Sequence, residues 1–395
     1  MLVVGVVYVR STRVIELQIP LTPDDKTPGA LCKVEQVGSF GTLTFRALLY
    51  WADLEEGISV HNGAKLYRIQ YWTKRYDGTP TVASGLFAAP AGVPFRGVVS
   101  YQHGTQTNRH TTPSQPSLGE GVLGAAIFAG EGYAFVAPDY VGLGSSQEAH
   151  TYLHTESTVD AVIDLLRAAN AFTAHLRKEW PDSLYLVGYS QGGHATLATQ
   201  RALERMNDPR FRVVACASVS GAYDLSGISF PVALAGASSA HSLYLAYLVN
   251  SYCRVYSQPL ESVLSAAYAE SVPQLFDGEH SGDEIVALLP RRPREMFNAE
   301  FIENYENGKP TWLLDALAKN QVVEWSPKAP IRLYFGEKDE DVSPKEAQRA
   351  VAEFSKRGCD ATLVSVGACG HDESILRAVP KIREWFEELS ARSAW

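Results

Sequence analysis

The sequence lacks the features that mark several other classes of protein. Its five cysteines are scattered and form no C-x-x-C pair, so neither a zinc site nor a redox pair is indicated. Its formal net charge of −9 disfavours nucleic-acid binding, which requires a basic surface. No run of about 18 apolar residues occurs, the length that would predict a membrane-spanning helix. We therefore expect no metal, no nucleic-acid partner and no membrane span.

The one pair of histidines with metal-like spacing gives no reason to revise this expectation. His150 and His154 are four residues apart, but they are not in the H-E-x-x-H order of a helical zinc site. We interpret both histidines as structural.

The start of the chain is apolar without the pattern of an export signal. The segment Met1–Val9 has no basic start and no small-residue cleavage site after it, so it is predicted as a strand. This favours a cytoplasmic location, with secretion as the alternative if the segment is a truncated signal peptide. The composition, 46% hydrophobic and 20% charged, is that of a globular protein.

The most informative feature that is present is a serine between two glycines. The segment Gly188-Tyr-Ser-Gln-Gly192 follows the apolar run 184–187 and precedes a helix-like run, which is the context of a G-x-S-x-G nucleophile elbow. A serine at such a turn adopts a strained backbone, and side chains at the flanking positions would collide with neighbouring backbone. We therefore predict Ser190 as a nucleophile at the carboxyl end of a buried strand.

An acid and a histidine follow downstream in the order that this kind of nucleophile requires. Asp339 comes in the loop after the predicted strand 331–335, and His371 follows the next predicted strand, 361–366. The carboxyl ends of parallel strands meet at one edge of a sheet, so both side chains should reach Ser190. His371 would be the general base, and Asp339 would orient its imidazole. Asp341, two residues further along, is the alternative acid.

Backbone N–H groups near the serine are the candidates for an oxyanion hole. The amide of Gln191 begins a helix, where N–H groups are free to bind an anion. The second donor should come from the loop after the predicted strand 97–101, from Gly104 or Thr105. His103 in the same loop is expected to hold the loop in place and is also a candidate substrate contact.

Several of these segments together resemble bacterial carboxylesterases of the α/β-hydrolase superfamily, near the secretory-lipase group. They are Tyr101–Thr105, Ala137–Ser145, Tyr152–His154, Gly188–His194 and Gly336-x-x-Asp339, in this order. The likeness covers roughly residues 67–230 and 331–389. It implies hydrolysis of small-molecule carboxylic esters without a cofactor. The chain departs from the secretory-lipase group in having no convincing signal peptide.

The alternation of predicted strands and helices indicates an α/β fold with a mostly parallel central sheet and helices on both faces. It stops between Asp224 and Lys328, where helices are predicted over 239–255, 260–268, 283–288, 293–304 and 311–320. In α/β-hydrolases an insertion at this point usually forms a cap over the nucleophile. The predicted organisation is an N-terminal extension (1–62), a core in two parts (63–223 and 329–395) and a helical cap (224–328).

Aromatic residues are the candidates for substrate contacts. Tyr244 and Tyr247 recur at roughly helical spacing in the predicted cap, and Tyr189 flanks the nucleophile. If they line a pocket, it would suit short to medium or aromatic acyl groups; otherwise they pack the cap on the core. We predict a serine carboxylesterase. A lipase for longer chains, a peptidase or acyltransferase with the same triad, and a non-catalytic binding protein are the alternatives, and the oligomeric state is not predicted.

Overall fold

The computed structural model describes residues 14–19, 21, 25–115, 119–236 and 239–392. Within this part of the chain, ten strands form one sheet. The predicted strand Met1–Val9 lies outside the described residues. The strands are β1 (Ile15–Glu16), β2 (Leu31–Phe40), β3 (Ala64–Lys74), β4 (Pro80–Pro90), β5 (Val98–Gln102), β6 (Ala134–Pro138), β7 (Leu184–Tyr189), β8 (Val213–Val219), β9 (Ile331–Phe335) and β10 (Ala361–Ser365).

Helices occupy most of the connections between these strands. They are α1 (Thr42–Trp51), α2 (Glu120–Phe128), α3 (Thr155–His175), α4 (Gln191–Met206), α5 (Phe230–Ala235), α6 (Ser239–Val255), α7 (Ala266–Leu275), α8 (Gly282–Leu288), α9 (Ala299–Glu306), α10 (Trp312–Asn320), α11 (Lys345–Lys356) and α12 (His371–Arg392).

The sheet has the order β1-β2-β3-β4-β6-β5-β7-β8-β9-β10. Strands β1 to β4 pair antiparallel, and β4 joins β6 antiparallel. From β6 to β10 every pairing is parallel. The central strands β5 and β6 are buried along their whole length, and apolar residues predominate in both; the two polar side chains of β5, Ser100 and Gln102, are hydrogen-bonded to each other. The predicted mostly parallel sheet is confirmed.

Helices cover both faces of the sheet. Helices α3, α4 and α11 pack apolar residues against one face, and α1, α2 and α12 pack against the other. Helices α2, α3, α4 and α11, which connect parallel strands, therefore each bury one apolar stripe on the sheet. This arrangement leaves the carboxyl ends of β5, β7, β8 and β9 open at one edge.

The predicted N-terminal extension is partly built into the sheet. Strand β2 pairs with β3 over most of its length, and Phe45 and Leu49 of α1 are buried in the core. Strand β2 was not predicted from the sequence. Its pairing with β3 has two irregularities, and the alternation of side chains along the strand shifts at each of them.

The segment 224–328 between β8 and β9, which we call the cap, contains helices α5 to α10 around an apolar cluster of its own. Two of the predicted cap helices, 260–268 and 293–304, are wrong as single elements. An antiparallel bridge pairs Leu264 with Phe297 and interrupts both. Each of the two segments begins as a short 3-10 turn, and α7 and α9 start after the bridge.

Hydrogen bonds tie the cap to the loop that follows β6 in the core. The hydroxyl of Ser251 on α6 accepts from the N–H of Tyr152 (2.8 Å) and donates to the carbonyl of His150 (2.9 Å). The hydroxyl of Tyr252 donates to the carbonyl of Leu153 (3.1 Å). The cap is therefore positioned by the same loop that borders the candidate site.

Candidate active site

Ser190 lies at the sharp turn between β7 and α4. Its φ of 56° and ψ of −120° are strained for a residue with a side chain. Gly188 and Gly192, on either side of the serine, must be glycines because other backbone atoms lie too close to leave room for a side chain. A methyl group on Gly188 would lie 2.2 Å from the carbonyl oxygen of Gly192, and one on Gly192 would lie 1.8 Å from that of Gln102. The turn thus holds the serine side chain at the carboxyl edge of the sheet.

His371 and Asp339 form a continuous hydrogen-bonded chain with this serine. The Nε2 atom of His371 is 2.8 Å from Ser190 Oγ, and its Nδ1 atom is 2.8 Å from Asp339 Oδ2. Because an ionised carboxylate only accepts, Nδ1 carries the proton and Nε2 is left to accept from the serine. All three side chains are buried.

The acid loop distinguishes Asp339 from its neighbour Asp341. Oδ1 of Asp339 accepts from the N–H groups of Asp341 (3.1 Å) and Val342 (2.9 Å), which leaves Oδ2 for His371. Asp341 makes no such contact with the imidazole. Burial raises the pKa of its carboxyl, and the nearby His371 partly opposes this.

The loop after β5 lies directly against the nucleophile turn. A methyl group on Gly104 would lie 3.1 Å from the Tyr189 ring, and the Thr105 hydroxyl is 2.9 Å from the hydroxyl of Tyr152. His103 is buried, and its two ring nitrogens face the carbonyls of Gly104 (2.7 Å) and Asp139 (3.3 Å). This placement fits the expected role of His103 in holding the loop and does not support a substrate contact.

The side chain of Gln191 is fixed by a histidine that sequence reasoning had treated as purely structural. His150 Nδ1 donates to the carbonyl of Val141 (2.8 Å), so Nε2 accepts from the Gln191 amide (2.9 Å). Burial lowers the pKa of His150 to about 4, which keeps it neutral in this role. The residue thus orients the side chain that follows Ser190. The nearby segment Tyr152–His154, one of those that carry the family resemblance, could have drawn attention to this loop, but it does not include His150.

A narrow cavity of about 60 Å³ opens on Ser190 and Gln191. Most of the residues that line it are apolar, and most of these come from the cap. Its polar lining includes Asp341, Ser343 and Glu346 from the acid loop and the start of α11. The apolar residues of the lining include Leu153, Ala222, Ile228, Phe230, Val232, Ala233, Leu245 and Leu248.

Of the four predicted substrate contacts, only Tyr244 lies on the wall of this cavity. Tyr247 is buried in a stack between Tyr152 (ring centroids 4.6 Å apart) and Phe276 (4.3 Å), so it packs the cap on the core. Tyr189 lies 4.9 Å from the His371 ring and faces a second cavity of about 270 Å³. Side chains such as Leu248 and Ile228 were missed because only the tertiary structure brings the cap to the serine.

Across the residues that the structure describes, no group of three or more His, Cys, Asp or Glu side chains is arranged to hold a metal ion. In the same residues, none of the helices is both long and apolar enough to cross a membrane.

The fold and this site can be compared with known proteins. A family model described as secretory lipase matches residues 125–393, well over half of the chain. The chain belongs to the secretory lipase family. This secretory lipase family member is an ester hydrolase with an α/β-hydrolase fold. The family description gives no support to the cytoplasmic location predicted above. No curated protein matches the chain.

Solved structures of hydrolases resemble the secretory lipase family member over nearly its whole length. A Legionella pneumophila protein classed provisionally as a hydrolase is 29% identical, with a TM-score of 0.86 over 91% of this chain and 98% of that one. The rice cell wall degrading esterase LipA from Xanthomonas oryzae is 26% identical, with a TM-score of 0.81 over 93% and 99%. Candida antarctica lipase A, 15% identical, has a TM-score of 0.68 over 92% and 83% and shares the fold.

Proposed function

We propose that the protein is a serine carboxylesterase in which Ser190, His371 and Asp339 form the catalytic triad. The observation that carries this proposal is the unbroken chain of two 2.8 Å contacts from the serine through the imidazole to the carboxylate. A strained serine at a strand-to-helix turn with a buried imidazole beside it is what acyl transfer requires.

In the proposed reaction, Ser190 Oγ attacks the carbonyl carbon of the ester while His371 Nε2 takes the serine proton. The resulting tetrahedral oxyanion is stabilised by backbone N–H groups of Gln191 and of Gly104 or Thr105. The imidazolium then gives its proton to the departing alcohol oxygen, which leaves an acyl-enzyme. Water, deprotonated by His371, attacks the acyl-enzyme, the imidazolium returns that proton to Ser190 Oγ as the serine leaves, and the acid product departs. Asp339 holds the imidazole tautomer through both halves.

The dimensions and lining of the cavity favour short to medium-chain or aromatic acyl groups. A narrow space with a largely apolar lining binds a hydrocarbon group by removing it from water, and Tyr244 is a candidate contact. The description of the family as secretory lipases keeps hydrolysis of longer chains as the second candidate. The same description favours secretion. We retain the division into extension, core and cap, with β2 assigned to the core.

Hydrolysis of p-nitrophenyl esters with acyl chains from C2 to C16 tests the function. Wild-type protein should turn over esters with a maximum at short or medium chains. Ser190→Ala should keep the fold and lower kcat by on the order of 10⁴, because the nucleophile is lost. Circular dichroism and thermal unfolding verify that the variant is folded.

Ser183→Ala is a matched control, since Ser183 precedes the opposite end of the same strand β7. It should retain wild-type turnover. A maximum at C12 or longer would assign the protein as a lipase. An inert but folded wild type would contradict the esterase proposal and favour a peptidase, an acyltransferase or a binding protein.

A further inference from the structure

Two carboxyl groups on the cavity wall have no part in the proposed reaction. One of them, Glu346, is fully engaged within the protein. Its Oε2 accepts from the N–H groups of Tyr223 (2.9 Å) and Asp224 (2.8 Å), and its Oε1 accepts from the hydroxyl of Ser229. These bonds fasten the start of the cap to α11, so Glu346 has a structural explanation.

The other carboxyl group, that of Asp341, is not engaged in this way. Among the residues that the structure describes, no hydrogen-bond donor contacts its side-chain oxygens, and the imidazoles of His371 and His241, when protonated, favour its ionised form. Asp341 lines the same cavity as Ser190, Tyr152 and Tyr244. The Asp341 side chain therefore faces the space beside Ser190.

The Asp341 side chain is half-buried on the wall of a largely apolar cavity, so its carboxyl can accept a hydrogen bond from a group that enters the cavity. No lysine or arginine is among the residues found on the cavity wall. A substrate group that donates a hydrogen bond would satisfy the carboxylate, whereas a second anion in the cavity would be repelled by it. Asp341 and Ser190 line the same cavity, so a group bound to Asp341 would lie close to the scissile ester.

We propose that Asp341 is a specificity-determining residue that binds a hydrogen-bond-donating group of the ester substrate, a hydroxyl or an ammonium. The apolar residues that line the same cavity would bind the hydrocarbon part of the substrate. The preferred substrate class is thus a hydroxy- or amino-substituted ester. This inference rests on the proposed esterase function.

Pairs of esters that differ only by a donor in place of a methyl group test the inference. Ethyl 3-hydroxybutanoate and ethyl 3-aminobutanoate are compared with ethyl 3-methylbutanoate, and 2-hydroxyethyl butanoate with propyl butanoate. Hydrolysis is followed by pH-stat titration at pH 8. Wild-type protein should prefer the donor-bearing member of at least one pair by roughly tenfold or more in kcat/KM. The pairs show whether the group lies on the acyl or the alcohol side, and whether hydroxyl or ammonium is selected.

Asp341→Ala should abolish this preference by lowering kcat/KM for the donor-bearing ester alone. Asp341→Asn should keep part of it, because the amide oxygen still accepts. Glu340→Gln is the matched control: Glu340 is the adjacent, exposed acid of the same loop, and the preference should persist.

Two results would overturn the inference while leaving the esterase function intact. One is wild-type hydrolysis with no preference in any pair. The other is an equal loss on both members of each pair in Asp341→Ala, with a shifted pH profile, because that would mean Asp341 acts through His371. Absence of hydrolysis of every ester would refute the esterase function, and this inference with it.

Discussion

Ser190 and Leu248 border the same cavity, but the core and the cap hold them there in different ways. The serine and its partners are fixed by hydrogen bonds and backbone geometry at the ends of parallel strands. Leu248 belongs to α6, whose residues are held by packing within the apolar cluster of the cap. Directional contacts tolerate little displacement, whereas apolar packing can accommodate different shapes.

This difference indicates a division of labour between the two regions. The triad would determine whether a bond is broken, and the side chains that line the cavity, most of them from the cap, would determine which ester enters. Changes to the triad should therefore affect all substrates alike, and changes to the cavity lining, in the cap or at Asp341, should redistribute activity among substrates. The predictions below test that division, from the largest expected effect to the smallest.

The largest effect is expected from Asp339→Asn in the core. An amide can donate to Nδ1 of His371 and so favour the wrong imidazole tautomer, which should lower kcat by on the order of 10³ to 10⁴ on every ester. Turnover of p-nitrophenyl esters from C2 to C16 measures this, with Glu340→Gln as the unaffected control. Near-normal turnover in Asp339→Asn combined with strong loss in Asp341→Asn would give the acid role to Asp341.

A smaller and substrate-dependent effect is expected from Leu248→Ala in the cap. Removal of three carbons from the apolar lining should enlarge the cavity and raise kcat/KM for C8 relative to C4 esters by roughly tenfold. The variant should also lose about 2–5 kcal/mol of stability, as buried leucine truncations do.

Leu317→Ala provides the matched control for this change. Leu317 of α10 is fully buried in the same cap cluster but is not among the residues that line the cavity. It should lose similar stability in thermal unfolding while the preference among acyl chains stays that of the wild type. If Leu317→Ala shifts the preference as much as Leu248→Ala does, the cap acts through its general stability and not through its cavity wall.

The smallest effect is expected where the two regions join, at Glu346. Burial raises the pKa of its carboxyl from the ordinary 4.5 to about 7. Between these values the folded protein binds more protons than the unfolded chain, so this group makes the free energy of unfolding fall as pH rises from about 4.5 to about 7. In Glu346→Gln that contribution is absent.

Relative to wild type, Glu346→Gln should therefore gain stability as pH rises across this range, by on the order of 1–3 kcal/mol. Urea unfolding at pH 5 and pH 8 measures the difference. If the free energies of unfolding of the two proteins change with pH in parallel, ionisation of Glu346 does not destabilise the junction between core and cap.

The sequence predicted a residue's position correctly where that position follows from the strand or turn to which the residue belongs. The elbow around Ser190 could be predicted because only glycine fits at the two flanking positions, and the parallel sheet because strands and helices alternate along the chain. Asp339 and His371 were predicted from their places after successive strands. Their roles remain predictions until the variants are measured.

Contacts between distant segments could not be predicted in this way. The bridge from Leu264 to Phe297 divides two cap helices, although each segment by itself has a helical pattern. The placement of Tyr247 in an aromatic stack, away from the cavity, depends on Tyr152 and Phe276 from other elements. Helical spacing cannot distinguish a side chain that packs from one that faces a ligand.

The sequence by itself therefore determined the α/β architecture, the nucleophile turn and the order of the candidate triad, because these follow from strand periodicity and from glycines in a tight turn. Only the tertiary structure decided which side chains line the cavity. It also decided that Glu346 is engaged while Asp341 is not. Those properties arise from the docking of the cap on the core, and that docking depends on burial and hydrogen bonds between residues about 100 positions apart.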